Sequence, residues 1–116
     1  MTLDIEGLAA RSALRALIAR KIRGLFEEHR PKPIAARVGF VDDNGPKGGV
    51  AIRCGITVEI PRRPALHAEH RAESQRLAFD GAFAALARRI ERERGRMLDE
   101  RRRPKKYFVA KRLLSA

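Results

Sequence analysis

The chain has no tryptophan, one tyrosine and one cysteine in 116 residues. So few aromatic rings argue against a platform on which single-stranded bases stack. The lone Cys54 cannot form an internal disulfide. No apolar run is long enough to span a bilayer and the start of the chain lacks a secretory-signal pattern, so a cytoplasmic address is expected. No segment joins a broad apolar face to dense lysine, which removes the usual mark of membrane-surface binding. Acidic residues are scarce as well: 14 Asp and Glu stand against 26 Lys and Arg, a net charge of +12. That excess opposes compaction and attracts polyanions, and nucleic acid becomes the leading partner class. The length fits one domain with a modest core.

Catalytic signatures are missing too. There is no Ser-His-Asp set, phosphate loop or zinc-ligand spacing. His67 and His70 are an odd number of residues apart in a strand-like stretch, so they point to opposite faces and do not share a metal. Asp42 and Asp43 fit turn chemistry, and Asp80 fits the start of a helix, where a negative charge suits the dipole. Neither enzymatic activity, a cofactor, a metal nor a small-molecule substrate is expected.

What the sequence does have is pattern. Leu3 and Ile5 alternate with polar neighbours in a short first strand that ends at Gly7. Leu14, Leu17, Ile18, Ile22, Leu25 and Phe26 repeat at helical spacing from about Arg11, with Ser12 as a weak cap, until Pro31 and Pro33. Ile34, Ala36, Val38 and Phe40 alternate in a second strand. Asp42 to Gly49 is dense in turn formers. Val50 to Ile60 gives the cleanest alternation, a long central strand with one wet side. Pro61-Arg62-Arg63-Pro64 makes a turn into a last strand over Leu66 to Arg71, and Ser74 caps the second long helix. The predicted fold is α/β of the α+β type, β-α-β-β-β-α, with a four-stranded sheet and two helices packed on one face. The first two strands are parallel if adjacent.

The second helix, from Ser74 to about Asp99, is the element that points to function. Phe79, Phe83, Leu86, Ile90 and Met97 form a narrow apolar stripe, and Arg88, Arg89, Arg92 and Arg96 lie across from it. Beyond Asp99 comes a basic run, Arg101, Arg102, Arg103, Lys105 and Lys106 around Pro104, then an apolar end from Tyr107 to Leu114, read as a mobile tail. Twelve basic and four acidic residues fall between Arg88 and Arg112, so this stretch holds +8 of the net charge. If the two helices lie side by side, Arg20, Arg23, Arg88, Arg92 and Arg96 line a groove suited to phosphates, because arginine forks two hydrogen bonds to one phosphate. Backbone shape, as in folded RNA, is the feature such a groove reads.

The order of elements and several local patterns resemble the ribosome hibernation-promoting factors, also called ribosome-associated inhibitor or sigma-factor modulation proteins. The resemblance covers roughly residues 1 to 98. It rests on the opening Met1 to Gly7, on Ala13-Leu14-Arg15 with Lys21-Ile22 and Leu25, and on His67-Ala68. Ala78-Phe79-Asp80, Leu86, Arg88, Arg92, Arg94 and Arg96 then match without a gap. It implies a ribosome-binding domain over 1–98; the basic tail over 99–116 matches no family pattern and is read from charge alone. It also implies attachment to the rRNA of the small ribosomal subunit and steric blockage of the tRNA and mRNA channel under starvation. The basic positions that match the family are Arg15, Lys21, Arg88, Arg92, Arg94 and Arg96. Charge geometry adds Arg20, Arg23, Arg89 and the tail residues Arg101, Arg102, Arg103, Lys105 and Lys106. The loop after the first strand is shorter than in the family, and the ribosome-pairing second domain of long members has no counterpart, so a short form is expected. A general nucleic-acid-binding module on the same fold is the alternative.

Overall fold

The computed structural model describes residues 1–43 and 51–96 in full and the backbone of 97–115. Its elements run β1 (Thr2–Glu6), α1 (Leu14–Leu25), β2 (Ala35–Asp42), β3 (Ile52–Glu59), β4 (Leu66–Ala72) and α2 (Gln75–Ser115). This is the expected β-α-β-β-β-α order, an α+β fold. The strands lie in the order β1-β2-β3-β4, with β1 parallel to β2 and the others antiparallel. Most of the turn-rich connection expected from Asp42 to Gly49 lies outside the described residues.

Register explains which face is covered. Leu3, Ala36, Val58 and Leu66 form one cross-strand row, and Ile5, Val38, Ile56 and Ala68 form the next. Side chains alternate along each strand, so both rows project to the same face. Ala36, Val38, Phe40, Cys54, Ile56 and Val58 are buried there, in one core with Ile18, Ile22 and Phe26 of α1 and Phe79, Leu86 and Ile90 of α2. Both helices therefore close one side of the sheet. The other side carries Arg37, Arg53, Thr57, Glu59, His67, Glu69 and Arg71 and stays open.

The helix ends follow local chemistry. Ser74 Oγ accepts the Leu77 N–H at 3.1 Å, the expected cap. Ser12 Oγ accepts the Leu14 N–H at 3.2 Å, although the residue at the cap position of α1 is Ala13. The carbonyls just past the end of α1 are met by the Lys32 ammonium, which donates to Glu27 and, at 3.4 Å, to Phe26. A cation suits that end of a helix. Gly7 follows β1 at a φ of 80°, and a side chain there would run into the Phe40 carbonyl. Ala78 and Ala82 are fully buried, which lets α2 lie close on the sheet, and the His70 ring sits against Gly81.

One feature of the fold differs from the sequence expectation, and another, the burial of His29, had no expectation attached. Helix α2 does not end near Asp99: its backbone is helical to Ser115, with Gly95 and Pro104 inside it. Arg, Lys and Leu on both sides favour helix, and they offset the proline, which removes a backbone donor and crowds the carbonyl four residues before it. His29 is 3 % exposed, its Nδ1 is 2.9 Å from the Pro31 carbonyl, and its ring meets Phe26 edge-on. Nothing in its neighbours Glu28 and Arg30 signals that burial.

Cys54 is fully buried, and burial pushes its thiol up to about 12 from an ordinary 9.0. The folded state keeps the thiol neutral where the unfolded chain ionises, so stability should fall as pH rises from about 9 toward about 12. Thiol reagents are expected to leave Cys54 unmodified at neutral pH until denaturant unfolds the chain, as followed by absorbance of the released thiolate. Rapid labelling of the folded protein would contradict this placement.

Candidate nucleic-acid interface

The cationic ridge of α2 meets a partner that the sequence reading left out. Arg89, Arg92 and Arg96 line an open cleft of about 360 Å³ together with Arg63 and Pro64 from the β3–β4 turn and Leu66 at the start of β4. The turn itself is built to aim that residue. Arg63 N–H donates to the Ile60 carbonyl at 3.3 Å, Pro61 presets the first corner, and Arg62 takes the second at a φ of 61°. A left-handed second corner after proline is the pattern of a type II turn, where glycine or asparagine is usual. Arginine there costs on the order of 1–3 kcal/mol. Glu93 reaches Arg63 at 3.6 Å and is the acidic member of the lining. Four guanidinium groups against one carboxylate leave the cleft strongly positive, a shape and charge suited to phosphate.

The expected groove between the helices is not assembled as one unit. α1 meets α2 through Lys21, whose ammonium is 3.9 Å from Asp80 and 5.5 Å from the centre of the Phe83 ring. At roughly 100° per residue, Asp80 and Phe83 lie on one flank of the buried stripe and Arg89, Arg92 and Arg96 on the other. Arg23 lines a separate depression with Met1, Phe26 and Lys32. Arg20 and Arg88 are exposed. Arg94 is exposed and pairs with Glu91 at 3.8 Å. Two predicted site residues serve the fold itself. The Arg15 guanidinium donates to the Ala9 and Leu8 carbonyls, both at 2.9 Å, and so ties down the loop before α1. Lys21 bridges the helices as described. Asp80, expected to serve the helix dipole, pairs with Arg76 at 3.2 Å as well as with Lys21. The side chains of Arg101, Arg102, Arg103, Lys105 and Lys106 lie outside the described ones.

The two histidines of β4 point to opposite faces, as their spacing requires. On the open face His67 stands between Thr57 Oγ1 at 2.7 Å and Glu69 Oε1 at 2.8 Å. That hydrogen bond, more than the nearby charges, holds the Glu69 carboxyl below the usual carboxylate range. The His67 carbonyl accepts a hydrogen bond from Arg89, so the arginine cleft is tied to the edge strand. Among the described residues no group of three or more His, Cys, Asp or Glu side chains is placed to hold a metal, and no helix is long and apolar enough to cross a membrane.

Comparison with known proteins agrees with this architecture. No curated protein matches the chain. Among solved structures, it is similar to the N-terminal domain of Protein Y from Thermus thermophilus, with 21% identity and a TM-score of 0.61. That match covers 79% of this chain and 98% of that one. It is also similar to a ribosomal subunit interface protein from Coxiella burnetii, with 14% identity and a TM-score of 0.62, covering 81% of this chain and 96% of the other. At such identities the likeness speaks for the fold. The family model described as sigma 54 modulation protein / S30EA ribosomal protein matches residues 3–98. With its sequence matched over most of its length and its β-α-β-β-β-α core in place, the chain belongs to that family.

Proposed function

We propose that the protein is a non-enzymatic, cytoplasmic ribosome-associated factor that binds the small subunit through its rRNA and blocks the tRNA and mRNA channel. The observation that carries this reading is the arginine cleft between the β3–β4 turn and α2, held on a domain of the ribosome-associated family. Arg89, Arg92, Arg96 and Arg63 hold backbone phosphates. Arg88, Arg20, Arg23 and Arg94 extend the positive surface, and the basic stretch 99–116 adds to it. Arg15 and Lys21 contribute by holding the loop and the helix pair beneath. Inhibition is steric: a compact domain anchored at several phosphates occupies space that tRNA needs.

Co-sedimentation with ribosomes through a sucrose gradient at two salt concentrations tests this. Migration with the small subunit at moderate salt, weakening steeply at higher salt, is the expected result, because phosphate contacts release counterions. Equal affinity for unrelated duplex RNA would favour the general nucleic-acid module. Binding indifferent to salt would remove the phosphate contacts from the account.

A further inference from the structure

The open face of the sheet contains a place where side chains are withheld. Gly39 and Gly55 stand directly opposite each other on β2 and β3. Arg37, Thr57 and His67 rise on one side of the pair, Val41 and Arg53 on the other, and Glu69, paired with Gly55, closes the end toward the sheet edge. Together they enclose a shallow trough of about 240 Å³ with bare peptide as its floor. Gly55 has an internal reason: a Cβ there would press on the His67 ring at 3.3 Å. Gly39 has none. Its φ is not positive, and a Cβ would meet nothing within 4 Å. Glycine inside a strand weakens it, and apart from bulges and bends a strand glycine often stands where a ligand or another backbone approaches closely.

The walls say what approaches. Arg37 is exposed and makes no ion pair among the described residues. Arg53 lies 3.6 Å from Asp43, which steers it. His67, fixed between Thr57 and Glu69, gives a rigid polar wall. A bare floor, two lining arginines and a polar edge match a nucleobase, since guanidinium groups, like aromatic rings, stack on bases. The trough and the arginine cleft share one strand. The His67 side chain lines the first, and its carbonyl is bonded to Arg89 of the second.

We propose that the trough receives one unpaired base of an RNA strand whose phosphates lie in the arginine cleft on the other side of β4. This rests on the RNA-binding reading above. The test is an NMR titration of the full chain with a short oligoadenylate and with its abasic ribose-phosphate counterpart. The Gly39 and Gly55 amide signals should move with the oligoadenylate only, while Arg92 and Arg96 side-chain signals move with both. Gly39→Val fills the trough at a position with room for the new side chain. It should weaken oligoadenylate binding about tenfold, as expected when one base no longer stacks, and leave affinity for the abasic strand unchanged. Unmoved glycine signals with the oligoadenylate bound, no binding of it at all, or equal affinity of variant and wild type would each overturn the proposal. Ribosome co-sedimentation is read separately. Moving glycine signals in a protein that ignores ribosomes would keep the trough and remove the ribosome. Ribosome binding with still glycine signals would do the reverse.

Discussion

Replacing Arg92 and Arg96 together with glutamate is expected to remove ribosome binding and leave the fold intact. Both side chains are exposed on α2 and line the cleft with Arg63 and Arg89. Two charge-assisted hydrogen bonds to phosphate, at about 1.5 kcal/mol each, correspond to about a hundredfold in affinity, and the reversed charges add repulsion. The slope of log affinity against log salt should become shallower by about one unit for each phosphate no longer neutralised. Because neither residue enters the core, far-UV circular dichroism and the melting temperature should change little. The matched pair Arg20→Glu and Arg23→Glu, on α1, should cost less, because these residues lie away from the cleft. Retained ribosome binding by the folded Arg92/Arg96 variant would move the site elsewhere. A larger loss from the α1 pair would restore the groove between the helices as the main binding surface.

The second large effect concerns the core. Phe79→Ala should bring the domain close to unfolding. Phe79 is fully buried, heads the largest buried side chains, and packs on Phe83 with ring centres 5.7 Å apart. Removing the ring forfeits its transfer free energy and leaves a cavity that helix and sheet cannot fully close, a cost of about 3–5 kcal/mol. Whole domains hold about 5–15 kcal/mol, so a large share of the margin is lost. A drop in melting temperature on the order of 15 °C follows, and urea denaturation should show a lower midpoint with an unchanged slope. A midpoint shift of only a few tenths molar would mean that α2 is not the main cover of the sheet.

Much of the fold could be read from the chain because its strands bury one face only. Val38, Cys54, Ile56 and Val58 alternate with polar residues, and slipping the register by one would expose them all. Ser74 and the Phe79–Leu86–Ile90 stripe likewise announce α2. The site was less legible for physical reasons. A helical wheel shows that Arg92 and Arg96 are exposed, but not that the β3–β4 turn brings Arg63 beside them. Arg15 and Lys21 look like members of a cationic ridge until the Ala9 carbonyl and Asp80 are seen to engage them. The facing of Gly39 and Gly55 exists only once pairing is known. Near Asp99, Pro104 suggested a break while local propensity favoured more helix, and propensity prevailed.

The bond from Arg89 to the His67 carbonyl has one more effect. β4 is one of the two edge strands, with β1 at the far side, and an edge strand offers its free carbonyls and amides to any passing chain. Here one of those carbonyls is already occupied, and the strand's own His67, Glu69 and Arg71 are exposed and charged or chargeable. A second copy seeking to extend the sheet would have to displace a guanidinium and bring another highly positive molecule alongside. The arrangement that draws in a polyanion thus also guards this edge of the sheet against pairing with a second copy.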